Sequence, residues 1–351
     1  MRPSDPALDA LLLPLRDGVV AWPRAGGALF IGARAGAALH ALPMPGLVCV
    51  QPLKPEAEAL ERAGFEVAVE APAGRFPLVL LLPSRQREQA RAQFARALQR
   101  LAPGGVLLAA MPNREGAKSG EADLVRLAGP MQVLSKHHCR VFWTAPLAAP
   151  ADPALVEAWS GLDAPRRIGD ARVPGGGFLS RPGVFAWDRV DAASLLLAGH
   201  LPPDLGGRVA DLGAGWGYLA GQVLERCPNV TAIDLYEADA NALALARANL
   251  EAWGANVPTA FHWHDVAAGL LARYDAIVTN PPFHGAGREE RPDLGRAFIA
   301  AAAAALQPGG RLWLVANRHL PYEAALGAGF GSVREVAARD GFKVVEAVRA
   351  R

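Results

Sequence analysis

Two stretches of this chain read as copies of one unit, and that repetition limits the possible folds more than any single motif does. Residues 97–114 (ALQRLAPGGVLLAAMPNR) and 304–318 (AALQPGGRLWLVANR) each run from a helix end through Pro-Gly-Gly into a strand. Upstream of each lies an apolar strand ending in proline, LVLLLP at 78–83 and DAIVTNPP at 275–282. Further back, VCVQPLKPEAEALERAG at 48–64 matches TAIDLYEADANALALARANLEAWG at 231–254, and LFIGARAG at 29–36 matches VADLGAGWG at 209–217. Strand, glycine turn, helix, strand and helix in that order predict a doubly wound parallel α/β sheet, present twice.

A length of 351 residues suits two such domains, each able to bury a core. The segment 146–176 is rich in Pro, Ala and Gly without sustained periodicity. It divides the chain into a first domain over 1–150, a linker over 151–164 and a second domain over 165–351. A hydrophobic fraction of 51% with 7% aromatics excludes disorder. The net charge of +2 excludes a protein that coats nucleic acid by bulk electrostatics. Three scattered cysteines exclude a disulfide scaffold or zinc ribbon, and His137-His138-Cys139 finds no further ligands, so no metal is expected. The N-terminus carries neither a signal peptide nor a span, which predicts a cytoplasmic protein with no membrane association.

The copies differ where chemistry would sit. The second has Asp211 followed by Gly213, Gly215 and Gly217; the first has Ile31 and glycines at 32 and 36. Glu237 ends the second strand of the later copy, where the earlier one has Gln51. The first copy also lacks a counterpart to HGAGREERPD, the loop after Asn280-Pro281-Pro282-Phe283. One copy is therefore expected to work and the other to be its degenerate partner.

A strand entering a glycine-rich turn frees backbone N–H groups and a helix N-terminus for a ligand. Asp211, just before the turn, suits an α-ammonium and would repel a pyrophosphate, which favours S-adenosylmethionine over a dinucleotide. Glu237 is placed to accept both ribose hydroxyls, with Asp234 as its rival. Asp265, in the loop after the third strand, is the acceptor for the adenine amine. His262 and His264 alternate with aromatics in that strand and read as structural. In TNPPFHGAG the two prolines force the chain out of the sheet beside the glycine turn. Asn280 and the Pro281 carbonyl then offer two acceptors to an exocyclic amine, Pro282 stiffens the loop, and Phe283 offers a stacking face. His284 is at most a positioning residue.

These features resemble the class I S-adenosylmethionine-dependent amino methyltransferases. GVFAWDRVDAASLLL (183–197), NPPFHGAG (280–287), LQPGGRLWLVANRHLPYE (306–323) and GFKVVEAVRA (341–350) resemble, more narrowly, the bacterial ribosomal RNA guanine-N2 methyltransferases with duplicated domains. The resemblance implies two tandem Rossmann-like domains, the N-terminal one without cofactor and supporting the fold or the RNA. It places Phe185 over the cofactor pocket, although the residues alone fit a core position equally well. Ala186 stands where that family has serine. The implied substrate is a guanine of ribosomal RNA, the small subunit preferred, and the built-in second domain favours a monomer. Rival readings are an amino methyltransferase acting on large-subunit guanine, adenine N6 or a protein glutamine, and a non-catalytic ribosome-assembly module. Candidate phosphate contacts are Arg85, Arg87, Arg91, Arg96 and Arg100, the pair Arg166-Arg167, and Arg288, Arg291 and Arg296 beside the loop.

Overall fold

A computed structural model describes residues 5–254, 256–282 and 292–351. They form two compact units, one ending at Ala164 and the other starting at Pro165. The first unit holds a seven-stranded sheet of β1 (Ala28–Ile31), β2 (Leu47–Val50), β3 (Glu66–Ala68), β4 (Phe76–Leu81), β5 (Leu101–Pro112), β6 (Met131–Lys136) and β7 (Cys139–Thr144). After a small hairpin of β8 (Arg166–Gly169) and β9 (Gly177–Ser180), the second unit repeats the design. Its strands are β10 (Gly206–Leu212), β11 (Asn229–Glu237), β12 (Thr259–Trp263), β13 (Tyr274–Thr279), β14 (Leu306–Asn317), β15 (Ser332–Arg339) and β16 (Phe342–Val348).

The spatial orders, β3-β2-β1-β4-β5-β7-β6 and β12-β11-β10-β13-β14-β16-β15, are the same order twice. The duplication legible in the sequence is thus a duplication of topology. Both sheets are mixed, because the last two strands form an antiparallel hairpin added to five parallel strands. The central strands are buried on both faces, as their unbroken apolar runs require, so each unit has one apolar cluster on either side of its sheet. The Pro-Gly-Gly elements are bulges inside β5 and β14: the register jumps between Phe76 and Leu78 on β4 and between Tyr274 and Ala276 on β13.

The stretch 151–164 is not a free linker. Pro153–Ser160 is helical, capped by Asp152, and buries Val156 and Trp159 with the first unit. The arginines of the helix Arg87–Gln99 hold this arrangement together. Arg91 forks onto buried Asp123 at 2.8 and 2.9 Å, with Arg87 beside it, and its guanidinium lies 4.6 Å from the Trp159 ring. Arg96 donates to Ser160 O at 2.9 Å and to Asp163, whose side chain is 1% exposed, at 2.7 Å. Arg91 and Arg96 therefore tie buried acids into the fold, a correction to their candidacy as phosphate contacts, while Arg87 reaches the same Asp123 from an exposed position. Arg96→Ala strands a buried carboxylate and should cost about 3 kcal/mol. Urea unfolding of the full chain should show the early loss of the first unit's transition with ligand affinity in the second unit unchanged; an unshifted transition contradicts this role.

Candidate active site

In the second unit Leu212 on β10 pairs with Tyr236 on β11 and with Thr279 on β13. The next residues, Gly213, Glu237 and Asn280, therefore leave the carboxyl edge of the sheet together, at the point where β10 has neighbours on opposite sides. The N–H groups of Gly213 and Ala214 both donate to Tyr236 O, at 2.9 and 3.1 Å, which fixes the turn against β11. Gly215 has φ +56° and a side chain there would enter open space, whereas a side chain on Gly217 would strike Leu250 at 2.8 Å. Gly215 thus opens the site, and Gly217 allows close packing at the start of the helix Tyr218–Arg226.

Glu237 accepts from Gly215 N and Asp239 N, both at 2.8 Å, and so stands at the turn with lone pairs remaining. Asp234 is buried beneath the edge, where Arg208 and the Tyr274 hydroxyl both donate to its Oδ2 at 2.6 Å. Committed in this way, Asp234 is no longer a rival to Glu237 for an edge ligand. Asp265 follows β12 and accepts from Ala267 N through Oδ1, while its neighbour His264 donates its N–H to Glu237 O. His264 contacts Gly269 O through Nε2, and His262 stacks on Tyr236; both are structural, as expected.

Asp211 is fully buried, with Oδ2 accepting from Ala220 N at 2.9 Å and Oδ1 without a hydrogen-bond partner. Burial pushes its carboxyl up to about 7, with the Glu237 charge adding to the shift and the Ala220 N–H opposing it. Burial likewise pushes Glu237 up to about 7 against the bonds from Asp239 and Gly215. Two carboxyls with raised pKa, one of which, Asp211, carries the orphaned acceptor, fit a ligand that brings positive charge and N–H donors. The ammonium and sulfonium of S-adenosylmethionine meet that requirement.

Phe185, Asp191, Ser194, Gly215, Trp216 and Asn280 line a small open cleft. Phe185 is 61% exposed at this cleft, which removes the core alternative, and Ala186 beside it takes a left-handed φ of 49°. Thr279 Oγ1 donates to Leu212 O at 2.8 Å and ties the end of β13 to β10. Asn280 Nδ2 donates to Asp191 Oδ2 at 3.0 Å and to Ser194 Oγ at 2.9 Å. Pro281 is buried and Pro282 half-buried. Phe283, His284, Arg288 and Arg291 lie outside the described residues. Sequence reasoning missed Asp191 and Ser194; the available signal was the Asp-x-x-Ser spacing of an N-cap before an apolar run. It also missed Asn249, which holds Leu179 N and O and Trp216 O from inside the helix Ala240–Ala252.

The first unit repeats the backbone with different side chains at the edge. Gly32 N and Ala33 N donate to Val50 O, as Gly213 and Ala214 do to Tyr236. Gln51, in the place of Glu237, donates to Ala33 O at 2.6 Å and accepts from Leu53 N. Leu8, from the helix Pro6–Leu11, lies so near Gly36 that a side chain there would meet it at 2.7 Å, and buried Leu82 replaces Asn280.

A glycine turn, the strand-end acid Glu237 and an Asn-Pro-Pro exit on one sheet edge are the arrangement expected of a class I methyltransferase acting on an amino group. Residues 175–346 match the methyltransferase small domain family. Ribosomal RNA small subunit methyltransferase C of Pseudomonas aeruginosa is 32% identical over 289 residues, covering 82% of this chain and 83% of the relative. The protein of that name from Shewanella amazonensis is 31% identical, covering 77% and 76%. A solved structure described as the T. thermophilus 16S rRNA N2 G1207 methyltransferase in complex with AdoMet and guanosine aligns with a TM-score of 0.80 at 28% identity. That alignment covers 98% of this chain and 92% of the other. The chain belongs to the ribosomal RNA small subunit methyltransferase C family.

The raised carboxyls predict a pH dependence. Between the ordinary carboxylate range and about 7 the folded chain holds protons that the unfolded chain has released, so the stability of the free protein falls as pH rises through that window. Affinity for the cationic cofactor runs the other way, rising by up to roughly tenfold per pH unit for each proton released and levelling above about 7. Titration calorimetry from pH 6 to 8 checks this, and a flat profile contradicts it. Asp211→Asn should stabilise the free protein at pH 8 while weakening cofactor binding at least roughly tenfold.

Proposed function

We infer that this chain transfers a methyl group from S-adenosylmethionine to the N2 amine of a guanine in small-subunit ribosomal RNA. S-adenosylmethionine supplies the electrophile, a methyl carbon activated by the sulfonium. The chain's own residues bind and orient. Asp211 Oδ1 and the turn around Gly213, Gly215 and Gly217 take the amino-acid end, Glu237 takes the ribose hydroxyls and Asp265 takes the adenine amine. Phe185 covers the cofactor. Asn280 Oδ1 and the Pro281 carbonyl accept from the two N–H groups of the guanine amine, Pro282 holds the loop and Phe283 stacks on the base. The amine is a weak nucleophile because its lone pair is delocalised. Fixing both N–H groups aims the lone pair at the methyl carbon, and the positive charge that grows on nitrogen strengthens both hydrogen bonds. The resulting ammonium is acidic enough to release its proton to water, so no strong base is required.

The observation that carries this reading is the arrangement at Asn280, whose amide nitrogen is engaged by Asp191 and Ser194 while its oxygen has no hydrogen-bond donor among the described residues. The first unit is read as a partner without cofactor, supported by Gln51, Leu8 and Leu82 in the places where the second unit has its site. Among the described residues no helix is long and apolar enough to cross a membrane, and no acidic, His or Cys cluster is built for a metal. A cytoplasmic monomer is the accompanying reading; sedimentation of the purified chain tests the monomer.

Methyl-labelled cofactor offered separately to small subunits, large subunits and naked rRNA should leave label in N2-methylguanine of the small-subunit RNA, with Asn280→Ala reducing it at least roughly a hundredfold. Label confined to adenine, protein or large-subunit RNA overturns the substrate. Cofactor binding with no label anywhere favours the assembly module. For the RNA backbone, Arg296 and Arg318 are exposed beside the catalytic loop and at the end of β14, without an acidic partner among the described residues. Arg296→Ala and Arg318→Ala should each weaken RNA binding uniformly and lower the salt slope of log K by about 1. Unchanged slopes remove them from the interface.

A further inference from the structure

Asn280 offers the guanine amine an oxygen only while its amide stands one way round. An amide rotated by half a turn about its last bond presents two N–H donors instead, and the two orientations are almost identical in shape. The second unit carries a device that separates them. Both amide N–H groups are taken, one by Asp191 Oδ2 at 3.0 Å and the other by Ser194 Oγ at 2.9 Å. A carboxylate has no proton to give, so a rotated amide would set its own oxygen against Asp191, acceptor facing acceptor at hydrogen-bond distance.

Asp191 is itself fixed. The same Oδ2 accepts from Ser194 N at 2.9 Å and caps the helix Ala192–Ala198, whose Ala193, Leu197 and Ala198 are buried in the core of the unit. Ser194 is buried as well, and both acceptors line the cleft that Asn280 lines. Upstream of Asp191, Asn249 ties Leu179 to the glycine turn at Trp216. Asp191 and Ser194 are therefore held by the cofactor half of the site while gripping the substrate half.

We propose that Asp191, together with Ser194, is the positioning residue that locks the Asn280 amide with its oxygen toward the substrate amine. The proposal rests on the reading of Asn280 as an acceptor for that amine. Asp191 also draws the amide N–H groups and so moves electron density onto the amide oxygen, strengthening the acceptor. That effect is small in the ground state, where the amine is neutral, and larger once positive charge develops on the nitrogen. The contribution therefore falls on turnover more than on binding.

The test compares Asp191→Ala, Asp191→Asn and Ser194→Ala in the full chain, and Asp191→Ala again in the Asn280→Ala background. It measures kcat and KM on small subunits and the Kd for S-adenosylhomocysteine. Asp191→Ala is expected to lower kcat at least roughly tenfold with KM and Kd within about twofold. Asp191→Asn, which keeps an oxygen for both the cap and the amide, should recover most of that loss, and Ser194→Ala should lose less than Asp191→Ala. In the Asn280→Ala background, Asp191→Ala should cause no further loss, since nothing remains to orient. A loss that persists undiminished in that background, or that falls equally on cofactor affinity, overturns the proposal in favour of a purely structural cap. Full turnover in Asp191→Ala alongside an inactive Asn280→Ala overturns the clamp while leaving the acceptor in place. An active Asn280→Ala overturns the acceptor reading itself. If Asp191→Ala does not fold, Ser194→Ala decides: unaltered kcat there overturns the proposal.

Discussion

Parallel register at the carboxyl edge is the constraint on which the site depends. Because Leu212 pairs with both Tyr236 and Thr279, the residue following each of these three positions emerges at one level, and these residues are Gly213, Glu237 and Asn280. A slip of one residue in either pairing would turn an acid or an amide into the sheet and bring a core residue to the edge. The register is enforced from both sides. Continuous apolar burial sets the strands, and Thr279 Oγ1 on Leu212 O, with Gly213 N and Ala214 N on Tyr236 O, locks their ends.

The first unit shows how different side chains fill the same edge. Ile31 pairs with Val50 and Leu81, so the same geometry delivers Gly32, Gln51 and Leu82. Gln51 can donate as well as accept, and it uses its amide to bridge Ala33 O and Leu53 N, satisfying the turn internally where Glu237 leaves lone pairs for a ligand. Leu8, Leu11 and Leu12 then join Phe30, Ala33 and Leu39 in one dry cluster. Apolar burial fills the edge of the first unit, whereas Asp211 in the second is a buried carboxyl with an orphaned oxygen, a standing cost that a cationic ligand there would offset.

The legible parts of the sequence were those with a period or an obligatory backbone. Buried parallel strands read as apolar runs, glycine turns as positive-φ positions, and two prolines after a strand as an exit from the sheet. What stayed hidden depended on partners distant in sequence. Asp234 and Glu237 are three residues apart and chemically alike, and only Arg208 and Tyr274 folding onto Asp234 separates them. The arginine stripe from Arg87 to Arg96 looked like a surface because its acids, Asp123 and Asp163, come from other elements. The stretch read as a linker was Pro-rich, yet Pro153 sits at the start of a helix, where its missing N–H costs nothing.

That use of arginine bears on how a nearly neutral chain recognises RNA. Arg208, Arg311 and Arg334 in the second unit are also tied to buried or half-buried acids, so much of the basic complement serves the fold. Attraction over distance is correspondingly weak, and selectivity must come from fixed geometry at the base. The polar side chains around the cleft are arranged for rigidity. Asn249 joins the glycine turn to the segment that leads to Asp191, Asp191 joins that segment to Asn280, and Thr279 joins Asn280's strand back to the turn. These hydrogen bonds tie the glycine turn, the segment before Asp191 and Asn280 to one another. Tied in this way, an acceptor can be aimed at one amine without the entropic cost of ordering it on each encounter, which is what a site with few long-range contacts requires.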